Sequence, residues 1–181
     1  MLLVKNMRVI SGKYKGKNLQ GFDIDGTRPT MDRVKESLFG MIQGKLKDST
    51  CLDLFAGSGS LGIEALSNGA SKCYFVDSHK EISIILKQNL QTIQNSVVIE
   101  KDYKMVLKEL QGISFDIIFL DPPYKDNLIT PALQLIDQYH LLKEDGIIVC
   151  EYETEEIETD LTCIKEKKYG SKKIKIYKKK K

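Results

Sequence analysis

Past residue 50 the chain alternates short apolar runs with amphipathic stretches, and this rhythm leaves few folds open to it. Residues 51–55 (Cys-Leu-Asp-Leu-Phe) read as a buried strand. A glycine-rich turn follows, then a helix through Leu61, Ile63, Ala65 and Leu66. Lys72–Val76 is a second strand, and Ile82, Ile85, Leu86 and Leu90 recur at helical spacing. Val97, Val98 and Ile99 form a third strand, with Val106, Leu107 and Leu110 marking the next helix. Residues 115–120 are a strand broken only by Asp116; residues 128–136 are a helix that tolerates Pro131 in its first turn; residues 146–150 are a further strand. Strand and helix in strict alternation predict an α/β fold, a mostly parallel sheet with helices on both faces.

The two ends depart from this pattern. Lys173-Ile174-Lys175-Ile176-Tyr177 alternates with period two and predicts a half-exposed strand, paired as a hairpin with residues 160–167. Residues 8–19 hold two glycines among basic and apolar residues, which predicts a second hairpin. Pro29 opens a helix with Met31, Val34, Leu38, Met41 and Ile42 on one stripe. With 181 residues and no repeat or low-complexity linker, the expected organisation is one domain, a basic extension at 1–50 on a core at 51–181. A composition 41% apolar excludes disorder as the dominant state. No apolar run approaches the roughly 18 residues of a membrane span. The opening Met1-Leu2-Leu3-Val4 is too short for a signal-peptide core, so a cytoplasmic protein is expected, with Met1 or Met7 as its start. Cysteines at 51, 73, 150 and 163 form no C-x-x-C pair and have no histidine at ligand spacing, so reduced thiols and no metal are expected.

Charge is segregated. Residues 1–50 carry ten basic and five acidic side chains; residues 51–164 carry eight and nineteen; residues 165–181 carry ten lysines and the single acid Glu166. Basic ends around an acidic middle suit a polyanion gripped by the ends. Lys13, Lys15 and Lys17 fall at alternate positions of the first hairpin and would share one face, and Lys173 and Lys175 do the same in the last.

Gly57-Ser58-Gly59-Ser60-Leu61-Gly62 fits G-x-G-x-x-G between a strand and a helix. Such a turn lets backbone approach a ligand and turns the helix amino terminus toward it. No Lys-Ser or Lys-Thr follows at the spacing of a phosphate-cradling P-loop. Asp53, just before the turn, would repel a pyrophosphate and favours a ligand with an ammonium end. Asp77 ends the second strand, where a carboxylate accepts from ribose hydroxyls. Asp102 follows the third strand, where it can meet the exocyclic amine of adenine; either acid could instead cap a helix. Three acids at three successive strand ends predict a ligand with an amino-acid end, a ribose and an adenine. Phe55, Ala56, Gly57, Ser58 and Gly59 in the turn, Ser78 beside Asp77, and Tyr103 beside Asp102 complete the expected binding set.

Asp121-Pro122-Pro123-Tyr124 follows the fourth strand. An exocyclic amine on a nucleobase is a poor nucleophile because its lone pair is delocalised into the ring. Hydrogen bonds from its N–H groups to the Asp121 carboxylate and the Pro122 carbonyl draw the nitrogen toward tetrahedral geometry. Pro122 and Pro123 fix the backbone that aims this carbonyl, and Tyr124 offers a ring on which the base stacks.

The runs 53–62 and 121–124 resemble motifs I and IV of the class I, S-adenosylmethionine-dependent amino-methyltransferases. Arg8-Val9-Ile10-Ser11-Gly12 and the run 27–39 (Thr-Arg-Pro-Thr-Met-Asp-Arg-Val-Lys-Glu-Ser-Leu-Phe) are similar to the bacterial family that methylates guanine N2 in small-subunit (16S) ribosomal RNA. The resemblance implies a Rossmann-like seven-stranded sheet with an antiparallel last strand and S-adenosyl-L-methionine as cofactor. It implies small-subunit ribosomal RNA, naked or in an assembling subunit, as partner. It also implies that Arg28, Thr30 and Arg33 lie near the cofactor or target base. Arg8, Arg28 and Arg33 thus join Lys13, Lys15, Lys17, Lys173 and Lys175 as candidate RNA contacts, and a monomer is expected. The competing readings are an adenine-N6 methyltransferase on DNA or RNA, a nicotinamide-dependent dehydrogenase, and a non-catalytic RNA-binding module. His79 and His140 are expected at surface or cap positions, since the amine proton can depart after transfer without a histidine base.

Overall fold

The computed structural model describes residues 6–21 and 32–181. Its elements are β1 (Asn6–Arg8), β2 (Asn18–Gln20), α1 (Asp32–Leu46), β3 (Thr50–Asp53), α2 (Ser60–Ser67), β4 (Lys72–Val76), α3 (Lys80–Asn89), β5 (Ser96–Ile99), α4 (Tyr103–Glu109), β6 (Phe115–Leu120), α5 (Ile129–Gln138), β7 (Leu142–Tyr152), β8 (Thr162–Tyr169) and β9 (Lys172–Lys178). Strands β3 to β9 form a seven-stranded sheet in the order β5-β4-β3-β6-β7-β9-β8. The first five strands of that order are mutually parallel, and β9 runs antiparallel between β7 and β8. The expected α/β architecture and carboxy-terminal hairpin are both present. The chain winds outward from β3 to β5, then returns to lay β6 on the other side of β3. That reversal opens a crevice at the carboxyl ends of the parallel strands, where ligands bind in open α/β sheets.

Strand alternation feeds two cores. Cys51, Ile117, Phe119, Ile174 and Ile176 face α1, α2 and α3 on one side, where the Phe39 and Phe119 rings lie 5.8 Å apart. Leu52, Leu54, Ile118, Leu120 and Tyr177 face α4 and α5 on the other. Val34, Leu38 and Ile42 are buried along α1 as their stripe requires, joined by Phe39. Pro29 and Met31 of the expected helix lie outside the described residues. Cys51, Cys73 and Cys150 are buried and Cys163 is exposed, and burial pushes the Cys51 thiol up to about 12.

Two expectations are corrected. β7 starts at Leu142, four residues before the apolar run. Lys143, Glu144 and Asp145 fall outside the expected strand at 146–150, but Phe115 pairs with Leu142 and Ile117 with Ile147, so the extra residues are accommodated as an irregularity in the pairing. Gly146 allows it, since a Cβ there would sit 2.9 Å from the Phe115 carbonyl oxygen and 2.7 Å from Leu142 Cδ1. The amino-terminal hairpin is also shorter than expected, three residues per strand, with turns between Ser11 and Gly16. These turns clamp α2: Tyr14 N donates to Ser67 Oγ (2.9 Å), Ser67 Oγ donates to the Ser11 carbonyl (2.6 Å), and Ile10 N donates to Glu64 Oε1 (2.8 Å). Gly12, at φ +82°, is pressed so closely on α2 that a Cβ would fall 2.0 Å from Ser67 O. Period two therefore does not apply at 13–17, and Lys13, Lys15 and Lys17 do not share a strand face.

Candidate active site

Four acids stand at or just beyond the carboxyl ends of β3, β4, β5 and β6, and a fifth stands at β7. Asp53 closes β3 and is fully buried. Its Oδ2 accepts from Gly62 N at 3.0 Å, reaching beneath the turn to the first turn of α2. Burial, reinforced by Asp77, pushes its carboxyl up to about 7 although the Gly62 N–H opposes this. The turn above it needs its glycines: Gly57 and Gly59 have φ of 57° and 87°. Gly62 lies against β4, where a Cβ would come within 2.3 Å of Phe75 Cε1.

Asp77 Oδ2 accepts from Gly57 N at 3.1 Å, and Oδ1 accepts from His79 N at 3.0 Å with His79 Nδ1 at 3.2 Å. The end of β4 thereby holds the glycine turn in place. Asp102 accepts from Lys104 N at 2.9 Å and caps α4, so its capping role coexists with a place in the site. Tyr103 packs its ring 5.2 Å from that of Phe55. Its hydroxyl is buried with no hydrogen-bond partner among the described residues, and burial together with Asp102 raises its pKa.

These groups surround one cavity of about 370 Å³. Phe55, Gly57, Asp77, Ser78, Asp102, Tyr103, Asp121 and Pro123 line it, with apolar wall from Leu54, Val76, Ile82 and Leu128. The structure thus brings the ends of β3, β4, β5 and β6 to a single space. Of the sequence-derived set, Asp53, Ala56, Ser58, Gly59, Pro122 and Tyr124 are not part of the cavity wall; Asp53 is bonded instead to Gly62 N. Tyr124 is half-buried, and its hydroxyl donates to Glu151 Oε1 at 3.4 Å. Its phenol is held well above the ordinary range by burial, with Asp121 and Glu151 adding to the effect.

Several buried polar residues were not singled out from the sequence. Lys35 of α1 donates to the Arg8 carbonyl (2.7 Å) and Ser60 Oγ (3.0 Å), bridging the amino-terminal extension to the start of α2. Burial lowers its pKa, partly offset by Glu64. Glu64 takes the Ile10 amide, and burial raises its carboxyl. Glu151 and Lys172 form a buried ion pair of 2.9 Å beside Tyr124. Glu151 had a signal, since it follows the apolar run 147–150 as the other acids follow theirs; Lys172 had none.

The basic candidates are dispersed. Arg8 Nε pairs with Asp32 at 3.1 Å. Lys17 donates to Thr92 Oγ1 at 2.8 Å, Lys13 Nζ stands over the Tyr14 ring, and Lys15 and Arg33 are exposed. Lys173 and Lys175 are half-buried, with Nζ atoms 5.9 and 5.8 Å from the Tyr152 ring centroid. Arg28 and Thr30 lie outside the described residues.

A glycine turn locked by the acids of β3 and β4, a further acid at β5, and Asp-Pro-Pro-Tyr at the switch point of this sheet together define a class I methyltransferase. The chain belongs to the family described as Conserved hypothetical protein 95, whose model matches residues 7–178. It is 43% identical to YlbH of Bacillus subtilis, over 96% of this chain and 99% of that protein. It is 38% identical to the ribosomal RNA small subunit methyltransferase D of Haemophilus influenzae, over 94% and 93% of the two chains. The solved structure of Escherichia coli yhhF superposes with a TM-score of 0.86 at 31% identity, covering 97% of this chain and 99% of the other.

Proposed function

We propose that this chain is a cytoplasmic, monomeric, single-domain enzyme that transfers the methyl group of S-adenosylmethionine to the exocyclic N2 amine of a guanine in small-subunit ribosomal RNA, free or in an assembling subunit. The observation that carries this reading is the meeting of Asp121 and Pro123 with Asp77, Asp102 and Tyr103 around one cavity. The relatives named as ribosomal RNA small subunit methyltransferases support the choice of RNA.

The cavity suits the cofactor on chemical grounds. Asp77 and Asp102 put carboxylate acceptors at adjacent strand ends, matching ribose hydroxyls and an adenine amine, and the walls between them are apolar. The buried Tyr103 hydroxyl, lacking a partner among the described residues, leaves a polar group for a ligand to satisfy. When bound, S-adenosylmethionine supplies an electrophilic methyl group on a sulfonium. Asp121 and the Pro122 carbonyl accept from the two N–H groups of the target amine and turn its lone pair outward. Tyr124 supplies a stacking face for a base swung out of its helix. Asp53 and Asp77, both bonded to backbone amides of the turn region, keep the cofactor side from shifting as the amine arrives. The rate gain comes from alignment and from fixed acceptors aimed at the reacting nitrogen. Basic groups of the two ends, Lys13, Lys15, Lys17, Arg28, Arg33, Lys173 and Lys175 among them, hold the RNA backbone.

The test is to incubate the protein with methyl-labelled cofactor and isolated small-subunit RNA, then identify the modified nucleoside by mass spectrometry. N2-methylguanosine is expected. N6-methyladenosine would move the reading to the adenine chemistry, and absence of any labelled nucleoside would remove it.

A further inference from the structure

Beyond the residues that meet cofactor and amine, one buried charged pair has no part in the mechanism above. The pairing of Leu120 with Cys150 sets Asp121, the first residue past β6, beside Glu151, which is still within β7 and pairs with Ile174 of β9. Glu151 is 1% exposed and Lys172 is 7% exposed, yet they are joined at 2.9 Å. Such a pair is a poor way to gain stability, because desolvation of both charges offsets most of their attraction and apolar replacements are often no less stable. Its placement is more informative. A single atom, Glu151 Oε1, accepts from Lys172 Nζ at 2.9 Å and from the Tyr124 hydroxyl at 3.4 Å. The same Nζ stands 5.9 Å from the centre of the Tyr124 ring. The ring is held at its tip by the carboxylate and on its face by the ammonium. Lys172 is the first residue of β9, directly after the turn at Gly170 and Ser171, so the hold on the ring comes from the basic hairpin.

We propose that Glu151 and Lys172 are positioning residues that fix the Tyr124 ring as the platform for the target base and connect that platform to the carboxy-terminal hairpin. This rests on the reading of 121–124 as the base-holding segment. The pair acts through Tyr124, whose hydroxyl and ring it contacts. A base that stacks on a wandering ring reaches the methyl donor in the wrong place, which lowers turnover and leaves cofactor binding alone.

The experiment is a double-mutant cycle. Lys172→Met keeps the aliphatic stem and removes the ammonium. In the otherwise unchanged enzyme it is expected to lower kcat about 10-fold or more while cofactor affinity stays within about twofold. Lys172→Arg, which keeps the cation, recovers part of the loss. In a Tyr124→Ala background the same Lys172→Met change is expected to alter kcat less than about twofold, since the ring through which it acts is gone. An equal loss in both backgrounds, or no loss in either, overturns the proposal. A second measurement needs no turnover: in protein labelled with ¹³C at the tyrosine rings, the Tyr124 signal, assigned by its disappearance in Tyr124→Phe, should shift or broaden in Lys172→Met and in Glu151→Gln. An unmoved signal in folded Lys172→Met overturns the proposal even if the wild-type enzyme proves to have another substrate, whereas a moved signal with no RNA methylation removes the functional reading alone. If Glu151→Gln fails to fold, judged by its thermal transition, the Lys172 variants decide.

Discussion

The two halves of the site are built differently. On the β3–β4–β5 side each carboxylate is bonded to backbone amides of the turns and helix starts that follow these strands: Asp53 to Gly62, Asp77 to Gly57 and His79, Asp102 to Lys104. On the β6–β7–β9 side the bonds run between side chains far apart in sequence, Tyr124 to Glu151 and Glu151 to Lys172. Backbone amides have few ways to move, so the first half is a preset socket. The second half depends on long side chains and on a hairpin that reaches the site from the far end of the chain. A socket for an invariant cofactor and a platform clamped from a separate element for one base of a large RNA call for this division.

Substitutions that touch one half should leave the other's observable alone, which gives ways to break the comparison. The largest effect is expected from Asp121→Ala: loss of the amine acceptor should lower kcat by about 100-fold or more, as for other single preorganised hydrogen-bonding groups. Cofactor affinity by calorimetry should change no more than a few-fold; a large loss of affinity would show the halves to be one unit. Next comes Asp53. With its carboxyl pushed up to about 7 in the fold and about 3.9 when unfolded, the folded state binds the extra proton between these values. Stability from this group is complete below pH 4 and is lost as pH rises through 7. Asp53→Asn, which keeps an acceptor for Gly62, should therefore remove a few kcal/mol of pH dependence across that window, read as a thermal shift relative to wild type that grows toward pH 8. A pH-independent difference would contradict it. Gly62→Ala drives a methyl group into Phe75 and should cost about 1–3 kcal/mol of unfolding free energy, measured by urea denaturation. The smallest effect belongs to the joint replacement of Lys13, Lys15 and Lys17. Because they are not on one strand face and Lys17 is tied to Thr92, the slope of log affinity for RNA against log salt should fall by only about 1–2. A larger drop would make the amino-terminal turns the main RNA contact.

The same division explains what could be read from the sequence. The socket is local: a strand, a glycine turn and a helix lie within twenty residues, and Asp77 and Asp102 sit where strand periodicity ends, so their places were legible. The sheet was legible as well, because residues 115–120 form an apolar run broken only by Asp116 and residues 173–177 alternate openly. Glu151 stood at the end of an apolar run as Asp77 and Asp121 do, and the rule that found them applies to it. Lys172 carries no such mark: a lysine in a lysine-rich tail gives no hint that one Nζ is buried against Glu151. Lys35, by contrast, carried a signal that was passed over: it falls within the apolar stripe of α1, among Val34, Leu38, Phe39 and Ile42, where a charge must find partners. The amino-terminal turns were misjudged because Gly12 and Gly16 suggested a simple hairpin, while the backbone at 10–14 is in fact satisfied by Glu64 and Ser67 of α2.

Calorimetric titration of the purified protein with S-adenosylmethionine and with its demethylated product bears most directly on the socket. One binding event per chain is expected for each ligand, with Asp121→Ala binding much as wild type does and Asp77→Ala binding at least about 10-fold more weakly, the loss of a charge-assisted hydrogen-bonding group. No heat with either ligand, or undiminished binding by Asp77→Ala, would contradict the account.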